Sequence, residues 1–217
     1  MEHKDTELVF ILDKSGSMSG LEKDTIGGFN SLLKKQKSEE GVARVTTVLF
    51  DHRYTMLHDR LPIKEVKPLT KETYLPEGTT ALLDAVGRTV DFLLEHLIGL
   101  PKEEKPSVMF VIITDGQENA SQDYTLERIR KRIEFCQESE GWEFIFLGAN
   151  IDSFAAASKI GISRDRTASY HADSRGVGVN FEALNTTMSK VRKGEIVSED
   201  WKESIEMDFT ERGKKKF

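Results

Sequence analysis

Asp13, Ser15 and Ser17 alternate in Asp13-Lys14-Ser15-Gly16-Ser17-Met18, directly after the apolar run Leu8-Val9-Phe10-Ile11-Leu12. An acid and two hydroxyls therefore leave the tip of a buried strand together. With Gly16 between them, both serines can turn toward one point while Asp13 anchors the loop from below. Two distant segments offer matching chemistry: Gly78-Thr79-Thr80 opens a helical stretch, and Thr114-Asp115-Gly116 ends a second apolar run, Val108-Met109-Phe110-Val111-Ile112-Ile113. The three segments supply oxygen and neither sulfur nor imidazole, which is the donor set of a hard divalent cation. Neutral hydroxyls serve as ligands without cancelling the ion's charge. Taken alone, Asp-x-Ser-x-Ser is as readily a turn or a helix N-cap, because Asp and Ser side chains satisfy free backbone donors there.

The elements that must position these residues follow from apolar periodicity. Residues 8–12 are continuously apolar and short, which predicts a strand buried on both faces. Leu21, Ile26, Phe29, Leu32 and Leu33 recur at near-helical spacing. Gly27-Gly28 lowers the propensity of that helix and is expected to let it approach a sheet closely. Residues 45–50 and 54–61, joined by Asp51-His52-Arg53, predict an antiparallel strand pair. Beyond a loop with Pro62, Pro68 and Pro76, residues 81–97 read as a helix, and Pro101 and Pro106 punctuate the route into a strand over Ser107–Thr114. Leu126, Ile129, Ile133 and Cys136 mark one face of the next helix; Glu127, Arg128, Arg130, Lys131 and Arg132 form its solvated face. A strand at 143–147, a short helix at Ser153–Lys159, an edge strand at 167–171 and a helix at 181–192 complete the series. This alternation predicts an α/β fold with a doubly wound, mostly parallel sheet and one antiparallel edge strand. In such sheets ligands bind beyond the carboxyl ends of the strands, where strand order switches. Asp13, Ser15, Ser17 and Asp115 all leave such ends.

With these segments in this order, the chain resembles the von Willebrand factor A (vWA) family over about residues 7–192. That family's metal-ion-dependent adhesion site uses an Asp-x-Ser-x-Ser loop, a distant Thr and a distant Asp. The resemblance implies that Ser15 and Ser17 ligate the metal directly, and that Thr80, Asp13 and Asp115 act directly or through water. Thr80 fits the family's Gly-x-Thr turn better than Thr79, its one-residue alternative. The implied architecture is vWA/Rossmann-like, with helices on both sheet faces, and the implied cation is Mg2+, with Mn2+ or Ca2+ as alternatives. It also implies a protein partner whose Asp or Glu carboxylate fills the open coordination position. Members of the family act in adhesion outside cells or in complex assembly inside them, and bacterial stand-alone members accompany ATPases or stress systems. The competing class is a metal-dependent phosphoryl-transfer enzyme, since an Asp at a strand end beside a cation could attack phosphate. Such folds place a second carboxylate two residues after the nucleophile, where this chain has Ser15. A Gly-x-x-x-x-Gly-Lys-[Ser/Thr] phosphate loop is also missing. A binding module rather than an enzyme is the expectation.

The bulk properties agree with that class. A chain of 217 residues with 38% hydrophobic content suits one globular domain. Its formal net charge of −6 argues against an electrostatic grip on nucleic acid or anionic lipid. No apolar run approaches the ~20 residues that span a bilayer. The apolar stretch near the start is interrupted by Asp13 and lacks a basic region and cleavage site, so no secretion signal is expected. The single Cys136 is compatible with a reducing compartment and is most simply a core residue, so the cytoplasm is the expected location. His3, His52, His58, His96 and His171 show no metal-ligand spacing. Gln117, Glu118 and Asn119 either line a docking rim or form a polar loop, the second being the simpler reading. The expected division is a vWA domain over residues 1–194 and an extension over 195–217, packed on the domain or partly disordered. In that extension Ile205, Met207 and Phe209 alternate while Val197, Trp201 and Ile205 have helical spacing, and Lys214-Lys215-Lys216 reads as solvated. Packing in cis and partner docking through Trp201 and Phe209 are both open to it.

Overall fold

Strands β1 (Thr6–Asp13), β2 (Ala43–Phe50), β3 (Tyr54–Pro62), β4 (Ser107–Thr114), β5 (Glu143–Ala149) and β6 (Thr167–Tyr170) form one sheet in the order β3-β2-β1-β4-β5-β6. The computed structural model describes residues 5–213, so His3 and Lys214, Lys215 and Lys216 lie outside the described residues. Every pairing is parallel except β2 with β3. Strand order reverses between β1 and β4, where Leu12 pairs with Ile113. That register sets Asp13 beside Thr114 at the switch.

Period-two geometry divides the strand side chains between two cores. Leu8, Phe10 and Leu12 join the face covered by α1 (Glu22–Ser38), α5 (Ser174–Arg192) and α6 (Glu203–Gly213). Val9 and Ile11 join the opposite face, under α2 (Leu82–Leu97), α3 (Leu126–Glu140) and α4 (Ser153–Lys159). The result is the expected doubly wound α/β sheet with helices on both faces. Cys136 is fully buried in the second core, and burial pushes its thiol up to about 12.

Three local expectations change. Gly28 serves a helix contact rather than a sheet contact: a Cβ there would lie 2.2 Å from Cδ2 of Phe181 on α5, while Gly27 has open space. Helix α5 starts at Ser174 instead of 181, because the Asp173 side chain caps it by accepting from Gly176 N at 2.9 Å. Gly176 and Gly178 dilute the apolar periodicity of those first turns. Near the C-terminal end the helical spacing prevails over the alternation. Trp201 and Ile205 enter the core beside α5, and Trp201 Nε1 donates to Asp165 O at 2.8 Å. Met207 and Phe209 stay exposed.

Candidate metal centre

The loop after β1 is held from several directions. Asp13 Oδ1 accepts from Ser15 N at 2.7 Å, and its Oδ2 accepts from Thr114 Oγ1 at 2.5 Å. The backbone of Lys14 is stitched on both sides, its N donating to Phe50 O at 2.7 Å and its O accepting from Glu77 N at 2.9 Å. Gly16 N donates to Gly78 O at 3.0 Å, which ties the serine loop to the segment bearing Thr80. Below the loop, Lys14 Nζ pairs with fully buried Asp51, and the Tyr74 hydroxyl donates to Asp13 O.

These contacts bring the five predicted residues together. Ser15 Oγ and Ser17 Oγ are 3.1 Å apart, and Ser17 Oγ donates to Asp115 Oδ1 at 2.5 Å. Thr80 completes the group: a Cβ built on Gly116 would lie 2.8 Å from Thr80 Oγ1 and 3.3 Å from Ser17 Oγ. Both hydroxyls thus pack closely against the same glycine, where any side chain would collide with them. Thr79 is exposed. The ligand loop is less superficial than a surface loop, since Asp13 and Ser15 are each 1% exposed and Thr80 and Asp115 each 3%. Only Ser17 of the five is exposed.

Burial raises the Asp13 carboxyl above its ordinary range despite hydrogen bonds from Ser15 and Thr114, and nearby Asp115 adds to the rise. Burial likewise raises Asp115. Asp115 Oδ2 is buried without a hydrogen-bond partner. A nearby cation would stabilise the ionised form of both desolvated carboxylates, and Asp115 Oδ2 is the oxygen left for it. Among the described residues no three or more His, Cys, Asp or Glu side chains converge on a metal position. Here two carboxylates are joined by three hydroxyls, a hard oxygen set that fits Mg2+, Mn2+ or Ca2+ and not a thiolate-seeking or imidazole-seeking ion.

Several positioning residues escape the sequence reading. Helix α2 has Ala81 at its N-cap and no side-chain cap of its own. Its caps arrive from the loop after β4: Glu118 Oε2 accepts from Leu83 N at 2.9 Å and Ser121 Oγ from Asp84 N at 3.0 Å, while Asn119 Oδ1 accepts from Thr80 N, just ahead of the helix, at 2.9 Å. Asn119 N also donates to Thr80 O at 3.0 Å. Glu118 and Asn119 thus brace the threonine segment, whereas Gln117 lies exposed at the rim. In sequence Thr80 itself stands before the helix read from residue 81, so no local sign reveals this arrangement. Lys14, Asp51 and Tyr74 carry no such sign.

Solved structures share this architecture. The vWF domain of the type V pili tip protein Mfa5 from Porphyromonas gingivalis matches with a TM-score of 0.63 at 11% identity, over 91% of this chain and 99% of that one. The von Willebrand factor type A protein from Catenulispora acidiphila matches at 0.58 and 14% identity, over 86% of this chain. The chain spans less than half of that protein, 43% of its length. Manganese-loaded TRAP protein from Plasmodium vivax matches at 0.55 and 16% identity, over 82% of this chain and 74% of that one. No protein-family model matches the chain, and no curated protein matches it in sequence. The class defined by the six-stranded sheet, with its antiparallel β3, is the doubly wound α/β domain. Within that class the chain has the von Willebrand factor A fold.

Proposed function

We propose that the chain is a metal-dependent protein-binding module. Asp13, Ser15, Ser17, Thr80 and Asp115 hold one divalent cation, Mg2+ in the first instance, with Mn2+ or Ca2+ as substitutes. The observation that carries this reading is the meeting of oxygens from three separate segments: Ser15 Oγ lies 3.1 Å from Ser17 Oγ, Ser17 Oγ donates to Asp115 Oδ1, and Ser17 Oγ and Thr80 Oγ1 both pack against Gly116. A bound cation supplies an electrophilic position for the carboxylate of an Asp or Glu on a partner protein. Asp13 orients the serine loop through Ser15 N, and Thr114 fixes Asp13 in turn. Asn119 sets the height of Thr80.

The manganese in the TRAP structure supports a divalent ion at this kind of fold. The reading contains no catalytic step: the position two residues after Asp13 is a hydroxyl, Ser15, and not the second carboxylate of a phosphoryl-transfer site. We place its work in assembly of cytoplasmic complexes, with an ATPase or stress-system component as the partner class. Among the described residues no helix is long and apolar enough to cross a membrane. Calorimetric titration with MgCl2 tests the centre, and affinity capture in magnesium and again in chelator tests the partner. Failure of the chain to bind Mg2+, Mn2+ or Ca2+ refutes the proposal.

A further inference from the structure

Asp51, fully buried in the turn between β2 and β3, touches two of the three segments that supply the oxygens of the centre. Its carboxylate pairs with the ammonium of Lys14, the residue between Asp13 and Ser15. Its backbone O accepts from Ala81 N, one residue after Thr80, at 2.9 Å. A single residue therefore links the serine loop to the threonine segment.

The turn around Asp51 is itself fixed. Asp51 Oδ1 accepts from Arg53 N at 2.5 Å, its Oδ2 accepts from Arg53 Nη2 at 3.1 Å, and its N donates to Arg53 O at 3.1 Å. The Arg53 guanidinium also pairs with Glu77, whose N donates to Lys14 O at 2.9 Å. These contacts close a ring that runs from Lys14 through Asp51, Arg53 and Glu77 back to Lys14. Desolvating both charges of a buried ion pair offsets much of their attraction, so the pair is poorly explained by net stability alone. What it does fix is the place of the serine loop relative to the start of α2.

We propose that Asp51 is a positioning residue of the metal centre: through Lys14 on one side and Ala81 on the other it sets the spacing of Ser15 and Thr80, and this spacing favours Mg2+ relative to Ca2+. The inference rests on the metal-dependent reading above and adds to it the source of ion selectivity. Mg2+ demands near-ideal octahedral geometry at about 2.0–2.1 Å, whereas Ca2+ accepts irregular oxygen sets at about 2.3–2.6 Å. Looser spacing between the hydroxyls therefore penalises Mg2+ and spares Ca2+.

Calorimetric titrations of the full chain with MgCl2 and with CaCl2 give the affinity ratio for the parent, Asp51→Asn and Lys14→Met. The two ions carry the same charge, so changes in local charge or in the folded fraction largely cancel in that ratio. Asp51→Asn leaves the Lys14 ammonium without its counter-charge, whereas Lys14→Met strands no charge because Asp51 keeps Arg53. In both variants the ratio of Mg2+ to Ca2+ affinity should fall roughly tenfold. In chelator, hydrogen exchange followed by mass spectrometry should run roughly tenfold faster in Lys14→Met over residues 13–19 and 77–83, and at the parent rate over β4. A ratio within about twofold of the parent's in folded Lys14→Met overturns the role of Asp51 and spares the module. Parent exchange rates over both segments overturn it as well, since the spacing is then held without the ion pair. A parent chain that binds neither ion overturns the module and this inference together.

Discussion

Ser17 Oγ donates to Asp115 Oδ1 at 2.5 Å, joining residues 98 positions apart in the chain. This bond gives one oxygen of a buried carboxylate a partner and leaves the other, Oδ2, with none. Both groups lie at the single place where the sheet reverses its strand order, so the polarity of the site is a consequence of the topology. Five measurements follow from that arrangement and its supports.

Replacing Ser15 and Ser17 together by Ala should abolish divalent-ion binding and cost the fold about 1 kcal/mol or less, since their hydroxyls bond chiefly to each other and to Asp115. Asp13→Ala should also abolish binding but destabilise by roughly 1–3 kcal/mol, because Ser15 N and Thr114 Oγ1 lose a buried acceptor. Calorimetric titration with MgCl2 and thermal melts by circular dichroism separate the two outcomes. Unchanged affinity in the folded serine variant would remove the assignment.

Gly116→Ala should impair metal binding with little loss of stability. The glycine does not use a left-handed backbone, so alanine is tolerated conformationally. The added methyl would sit 2.8 Å from Thr80 Oγ1 and drive that hydroxyl away from Ser17. A variant that melts like the parent and binds Mg2+ equally well contradicts the role given to Thr80.

Asn119→Ala removes the acceptor for Thr80 N while keeping the backbone bond from Asn119 N to Thr80 O. Outer supports of metal ligands typically carry roughly 10- to 100-fold in affinity. The expected result is a loss of that size in Mg2+ affinity with about 1 kcal/mol of destabilisation. An affinity within twofold of the parent would show that Thr80 needs no brace.

Deleting residues 198–217 strips Trp201 and Ile205 from the core beside α5. Two buried side chains of that size contribute roughly 3–6 kcal/mol, so the melting temperature should fall clearly. Mg2+ affinity should hold, because none of the five proposed ligands lies in that segment. A native melting temperature would mean that these side chains add nothing in cis.

Asp51 sets a pH dependence. Burial pushes its carboxyl up, but hydrogen bonds from Arg53 and Lys14 outweigh burial and leave it below its ordinary value of 3.8. A depressed carboxyl stabilises the fold above the unfolded value and loses that contribution as pH falls through the folded value. The parent should therefore shed this stability only below pH 3.8. Asp51→Asn should already be weaker at pH 7, by roughly 3–5 kcal/mol, through the unpaired Lys14 charge, and should show a flatter decline in acid. Urea melts across the acid range give both slopes, and parallel declines would exclude Asp51 as the titrating group.

The sequence by itself determined the strands and the ends at which Asp13, Ser15, Ser17 and Asp115 emerge. Continuous apolar runs such as 8–12 and the run into Thr114, too short for helices and bounded by charged or turn-forming residues, read as strands buried on both faces, and the polar residues that end them then emerge at one edge. Local periodicity is enough for that, because strand and helix patterns arise within a few residues. It does not reach contacts between distant segments. That Gly28 makes room for Phe181, that Glu118 and Ser121 cap the helix begun at Leu82, and that Lys14 finds its counter-charge on Asp51 were decided only when the sheet brought those segments together. The tail shows the same limit: its alternating and helical spacings are equally legible in sequence, and the pocket beside α5 that receives Trp201 and Ile205 settles the choice by burying one pattern and leaving Met207 and Phe209 in solvent.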